Sequence, residues 1–215
     1  MTTSTTLSPD YLVNSSDKII PVSDVSGFSL IENRLNFISP ACRLLHTESF
    51  DTDDAARGAF KTYARIFESN LTEEAVYRSN NCIARLEYVH GISLFQNDEQ
   101  AILMLINRYG GTLVSESAKP DTLDEEFQEL ATTLGGRAYE AMRFRWLHAN
   151  CLLSSRLLPM VEKTPNGVVI KVNDKFVSFL ATKDEEKKEQ LFTEIRTALV
   201  WFPPFFSVPV MAPFT

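Results

Sequence analysis

The sequence predicts an α+β fold with a ferredoxin-like antiparallel core, and three observations carry that expectation. Residues 167–180 hold two β-rich runs, VVIKV and KFVSFLA, on either side of Asn173-Asp174, a pair suited to a two-residue hairpin turn. Cys82 to Phe95 alternates apolar and polar residues at period two, with Cys82, Ala84, Leu86, Tyr88 and His90 on one parity. Around these runs, apolar residues recur at three and four in 55–67 and 184–200, the spacing of amphipathic helices. From Cys82 onward the order is strand, helical segment, two-strand hairpin, helix, strand. That is the β-α-β-β-α-β order of a ferredoxin-like core, with its first crossover enlarged into a helical insert over about 97–158. One α+β domain over 17–215 is expected, with its core at about 82–211.

Each element has a local reason. Met1 to Ser16 is Thr/Ser-rich and reads as a flexible arm, 1–16. Phe28 to His46 mixes apolar and polar residues at short period around Pro40, which fits one or two strands. Asp51-Thr52-Asp53-Asp54 supplies capping and acidic residues ahead of a helix that places Ala56, Phe60, Tyr63, Ala64 and Phe67 on one face. The Cys82–Phe95 strand is expected to bend at Gly91. Asn97 with Gln100 then has capping spacing before AILMLINRY, read as a buried helix closed by Gly110-Gly111. SESAKPDTLD reads as a loop into a long helix from about Glu125 to about Leu158, with Gly135-Gly136 as a point of breakage. Thr182 and Glu185 have capping-box spacing ahead of a helix with Leu191, Ile195, Ala198 and Leu199 on one face, stopped by Pro203-Pro204. FFSVPVMAPF, carrying Pro209, reads as an edge strand or an extended segment packed on the body.

Composition narrows the function classes. The chain has 215 residues, 21 Lys+Arg against 28 Asp+Glu, and three cysteines. No apolar run nears the roughly 20 residues a membrane helix needs, and the N-terminus has no basic, apolar signal pattern. Cys42, Cys82 and Cys151 have no CxxC spacing, and His46, His90 and His148 show no ligand spacing, so neither a metal nor another cofactor is expected, and a reducing cytoplasm fits best. Cys151 stands three residues from His148, but nothing around it completes a nucleophilic centre. Paired carboxylates such as Asp53-Asp54 and Glu125-Glu126 fall where they complement a helix dipole. No reaction centre assembles from the sequence, and a non-enzyme is expected.

Charge is unevenly distributed. Residues 113–130 carry a net −5 and residues 131–163 a net +3 within a chain of −7. On the long expected helix, Arg137, Arg145, His148 and Arg156 fall within about 100° of one another. Arg143 lies off that arc but is grouped with them as an RNA contact. Arginine offers a fork of donors to phosphate oxygens, so a basic stripe beside an apolar face fits a phosphate backbone; it fits equally an ion-pair partner for 116–129. Lys175-Phe176-Val177-Ser178-Phe179 is similar to the aromatic strand of RNA-recognition (RRM-like) modules, but without the glycine, and strand parity sends Phe176 and Phe179 to opposite faces.

The run from Cys82 to Met211 resembles, in element order and in Glu129-Leu130-Ala131 and Arg143-Phe144-Arg145-Trp146-Leu147-His148-Ala149-Asn150, the RNA-binding backbone subunit of CRISPR surveillance complexes of the type I-F group. The chain is more acidic and shorter than such subunits. The resemblance implies a repeated, non-catalytic ribonucleoprotein subunit in antiviral defence that contacts RNA and neighbouring protein subunits as a homo- or hetero-oligomer. Trp201, Phe202, Phe205 and Phe206 around Pro203-Pro204 suit a subunit interface, or burial on the protein's own core. The alternative is an acidic protein-interaction module, such as a viral or phage structural or inhibitory protein, with no nucleic-acid role.

Overall fold

The computed structural model describes residues 10–14, 18–71, 75–96, 100–136 and 144–201. Within them the protein is α+β, with every strand pair antiparallel. One unit occurs three times in succession: a short hairpin, a tight turn, a three-stranded meander and a helix of 17 residues.

The first unit runs β1 (Tyr11–Asn14), β2 (Ile19–Pro21), β3 (Gly27–Ile31), β4 (Arg34–Ile38), β5 (Leu44–Ser49) and α1 (Asp53–Ser69). The second runs β6 (Val76–Arg78), β7 (Cys82–Arg85), β8 (Gly91–Gln96), β9 (Ala101–Ile106), β10 (Thr112–Ala118) and α2 (Pro120–Gly136). The third runs β11 (Phe144–His148), β12 (Cys151–Ser154), β13 (Pro159–Thr164), β14 (Gly167–Val172), β15 (Lys175–Ala181) and α3 (Glu185–Trp201). Small features recur with the large ones. Between hairpin and meander, an N–H three residues on bonds back to Val22, Leu86 and Ser154 carbonyls. Each meander carries one bulge in its last turn, leaving Leu45, Leu113 and Val177 without a cross-strand partner.

The units are stitched together by strand exchange. β7 pairs with β3 of the unit before it, setting Ile83 opposite Phe28, and β12 pairs with β8, setting Leu152 opposite Ile92. The sheets therefore read β5-β4-β3-β7-β6 and β10-β9-β8-β12-β11, followed by β13-β14-β15. Ile83 packs in the core of the first unit, with Phe28, Phe37, Phe60 and Phe67, while Cys82 and Ala84 face the core of the second. Leu152 likewise packs in the second core, and Cys151 and Leu153 in the third. Each exchanged side chain stabilises the array by about 1.5–3 kcal/mol through burial alone. The exchange needs backbones to approach closely, and Gly27 and Gly91 stand at the crossings, in the related runs Gly27-Phe28-Ser29-Leu30 and Gly91-Ile92-Ser93-Leu94.

Several expectations hold. Thr52 caps α1, its hydroxyl accepting from the Ala55 N–H at 3.2 Å, and Ala56, Phe60, Ala64 and Phe67 are buried. β14 and β15 form the expected hairpin, with Asn173 and Asp174 both at positive φ. Helix α3 forms as expected but its cap is corrected: Asp184, not Thr182, accepts from the first-turn N–H groups, while Thr182 accepts from Asp184 N–H.

Others are corrected. Phe28–His46 spans three strands, β3, β4 and the start of β5. Cys82–Phe95 is two strands, β7 and β8, separated by a 3-10 turn at Leu86–Tyr88. AILMLINRY is strand β9, not a helix: it lies between β8 and β10 with Ala101, Leu103 and Leu105 buried, and such a run is apolar enough for either structure. Gly110, at φ +76°, turns the chain from β9 into β10. The long helix over 125–158 begins earlier, at Pro120, and ends at Gly136; 144–154 is the β11–β12 hairpin. The insert over 97–158 is thus mostly strand, and the β-α-β-β-α-β order is not what the described residues show. Within the 1–16 arm, Tyr11–Asn14 is strand β1, with Leu12 buried. The expected tail strand lies outside the described residues. No helix among the described residues is long and apolar enough to cross a membrane.

Candidate functional site

A cleft of about 400 Å³ opens between the second and third units. β8 contributes Leu94, Phe95 and Gln96, and Gln100 and Ile102 follow from the β9 side. His148 and Asn150 reach it from the end of β11 and its turn, Phe179 and Leu180 from β15, and Lys187 and Leu191 from α3. The lining combines apolar and aromatic surface with a few amide, imidazole and ammonium groups, the make-up of a ligand site.

Phe95 and Phe179 line this cleft, and Phe176 extends its aromatic wall outward by stacking on Phe95. Phe95 and Phe176 stack with ring centroids 5.2 Å apart and planes 23° from parallel, and Phe176 remains 46% exposed. Strand parity expected Phe176 and Phe179 on opposite faces. The bulge at Val177 overturns this: Phe176 lies opposite Lys171 and Phe179 opposite Val169, so both phenylalanines share one face. That face meets Phe95 of the neighbouring sheet.

His148 is the one expected RNA contact in this cleft. Burial lowers its pKa below the ordinary imidazole value, against an opposing pull from Glu194, so the ring is neutral at pH 7 with one nitrogen a donor and the other an acceptor. The remaining stripe does not assemble. In strand β11, Arg145 is 6% exposed and gives its Nη2 hydrogen to the Leu157 carbonyl at 2.9 Å, so it ties β11 to the turn after β12 and does not face solvent. Arg156 is exposed in the turn after β12 and lines a different cleft. The helical arc dissolves because residues 144–154 turn back as a hairpin at Ala149-Asn150, and strand alternation separates side chains that a helix would align. Arg137 and Arg143 lie outside the described residues, as do Phe202, Phe205 and Phe206, and Trp201 ends α3. The acidic segment 116–129 finds partners of another kind: Tyr77 donates its hydroxyl towards Glu126 at 3.0 Å and Glu116 at 3.3 Å.

Cys151 is fully buried, its pKa pushed up to about 12 by desolvation, so its thiol is not an accessible nucleophile. Among the described residues no three His, Cys, Asp or Glu side chains are grouped to hold a metal ion. Phe95, Gln96 and Lys187 were not singled out by sequence reasoning, and Gln100 was read only as a capping partner of Asn97. Their convergence depends on two sheets and α3 meeting, which no local spacing signals. Comparison with family models, curated proteins and solved structures finds no match to this chain.

Proposed function

We propose that the protein is a non-enzymatic RNA-binding and assembly subunit that holds single-stranded RNA on the exposed Phe95–Phe176 pair and in the adjoining cleft lined by Phe95 and Phe179. One observation carries the reading: stacked, partly exposed phenylalanines stand beside Gln96, Gln100, Asn150 and neutral His148, with Lys187 at the rim. Unstacked bases need an aromatic face to lie on and amide or imidazole groups to meet their edges, and every base has a π-face that such a platform accepts. An RRM-like module stacks bases on one open sheet face; here the proposed platform is shared between β8 and β15. The CRISPR-like reading remains a proposal of context only, since residues 143–150, on which the resemblance drew, include strand β11 and not a helix end.

The test is fluorescence anisotropy with a single-stranded RNA across a salt series. Phe176→Ala is expected to weaken binding by about 1–3 kcal/mol, the worth of one stacked base. With Lys187 the one full positive charge among the described lining residues, log K should fall with log salt at a shallow slope of about −0.7. Absence of binding at low salt would remove the proposal. It would favour the acidic protein-interaction module, which the net charge of −7 supports.

A further inference from the structure

A second cleft, distinct from the aromatic one, has the chemistry of an anion site. It also measures about 400 Å³ and lies where turns of all three units meet. Pro40 and Ala41 come from the β4–β5 turn, Glu87 and Tyr88 from the turn before β8, Asn107, Arg108 and Tyr109 from the β9–β10 turn, and Arg156 from the turn after β12. His90 completes the lining.

Three features point to a ligand. First, Arg108 and Arg156 both face this cleft, and among the described residues neither has a carboxylate partner. Arg108 instead lies over the Tyr109 ring, 4.6 Å from its centroid, and donates to its hydroxyl. The one acidic lining residue, Glu87, accepts from Arg85 at 3.4 Å. Second, His90 is 7% exposed, and its Nδ1 is buried without a hydrogen-bond partner among the described residues. That atom is sealed from solvent, so a ligand in the cleft can meet the ring only through its other nitrogen, Nε2. Burial lowers the pKa of this ring, and Arg156 and Arg108 act on it in the same direction.

Third, the surrounding turns are rigidly built. His90 N–H bonds to the Ile106 carbonyl and its own carbonyl accepts from Ser154 N–H, each at 2.7 Å. Buried Asn107 accepts from Tyr109 and Gly111 N–H with Oδ1, each at 2.9 Å, and donates from Nδ2 to the Pro40 carbonyl at 3.0 Å. The two turns that carry the arginines are thus tied to neighbouring strands and to the β4–β5 turn, which fixes the backbone from which both side chains start.

We propose that this cleft binds a phosphomonoester, the two guanidinium groups taking the phosphate and His90 hydrogen-bonding one of its oxygens. A dianionic terminal phosphate matches two arginines, whereas the single charge of a diester in a running backbone matches one. The cleft exceeds a bare phosphate in size and lies in the range of small-molecule sites, about 300–1,000 Å³. Tyr88 and the half-exposed Tyr109 offer flat surface to an attached planar group. The site stands independently of the RNA reading, because it shares no residue with the aromatic cleft.

The test is isothermal titration of the full chain with inorganic phosphate, uridine monophosphate and dimethyl phosphate at low ionic strength. The expected result is saturable binding of the two terminal phosphates, at least tenfold tighter than the diester. Arg108→Ala and Arg156→Ala should each weaken that binding at least tenfold, with melting temperatures close to wild type. Phosphate binding that both variants leave unchanged, or no saturation by either ligand at millimolar concentration, overturns the site. Comparing 5′-phosphorylated with 5′-hydroxyl RNA then identifies the source. A gain for the phosphorylated end that Arg156→Ala abolishes assigns the cleft to RNA ends. Binding of uridine monophosphate without that gain assigns it to free phosphorylated small molecules.

Discussion

Alanine at three glycines should produce three different outcomes, and together they test the strand exchange on which the fold depends. A Cβ at Gly27 would stand 2.5 Å from the Ile83 carbonyl oxygen and 3.1 Å from both Ala84 Cα and Ala84 Cβ. An ordinary C···O contact is no closer than about 3.3 Å, so β7 would have to retreat by most of an ångström, stretching its ladder to β3 and unseating Ile83. Overpacking of this kind costs about 1–3 kcal/mol, and the obstacle here is backbone, which places Gly27→Ala at the upper end. At Gly91 the nearest obstacle, 2.4 Å away, is Leu153 Cδ2, the tip of a side chain that can rotate, so Gly91→Ala should cost about 1 kcal/mol. Gly58 lies inside α1 with nothing within 4 Å of its virtual Cβ, and Gly58→Ala should stabilise by about 0.5–1 kcal/mol through helix propensity. For a chain of this length 1 kcal/mol moves Tm by about 2–4 °C. Melting curves should therefore rank Gly58→Ala above wild type, Gly91→Ala slightly below and Gly27→Ala about 5–10 °C below. Hydrogen exchange in Gly27→Ala should quicken in both β3 and β7. Equal stability of Gly27→Ala and Gly58→Ala would refute the close crossing.

Two further outcomes concern buried polar groups. Tyr77→Phe removes the hydroxyl shared by Glu126 and the buried Glu116, leaving Glu116 only the Cys82 thiol at 3.8 Å among the described residues; urea unfolding should show a loss of about 1–3 kcal/mol. His90 and His148 both have pKa values lowered by burial, so the unfolded chain binds more protons than the folded one. Their contribution is present above pH 6.5 and is lost as pH falls towards the folded values, at up to about 1.4 kcal/mol per pH unit for each ring. Unfolding free energy measured from pH 7 to pH 5 should fall, and Asn in place of both histidines should flatten that slope.

Helices α1 and α3 and the β14–β15 hairpin were legible because each is specified locally. A capping side chain, a three-and-four apolar repeat and the Asn173-Asp174 turn all act within a few residues. The Ala101–Ile106 run was not legible for the opposite reason. It is apolar on both parities although only Ala101, Leu103 and Leu105 face the core while Ile102 is exposed, and a short run of that kind carries no period by which helix and strand differ. The same holds for 144–154, where spacing compatible with a basic helix face belongs to a hairpin whose turn, Ala149-Asn150, lacks glycine or proline.

By itself, then, the sequence determined the α+β class, the places of two helices and one hairpin, and the concentration of charge. Tertiary structure alone decided that the unit occurs three times, because the repetition resides in strand exchange and bulge position, and only the short runs at Gly27 and Gly91 echo it in residues. It also decided which polar residues converge. Phe95 meets Phe176, and Arg108 comes to share a cleft with Arg156 and His90, because strands and turns far apart in sequence are brought together once apolar faces are buried. Local spacing cannot encode such a meeting; only the packed core that pays for it can.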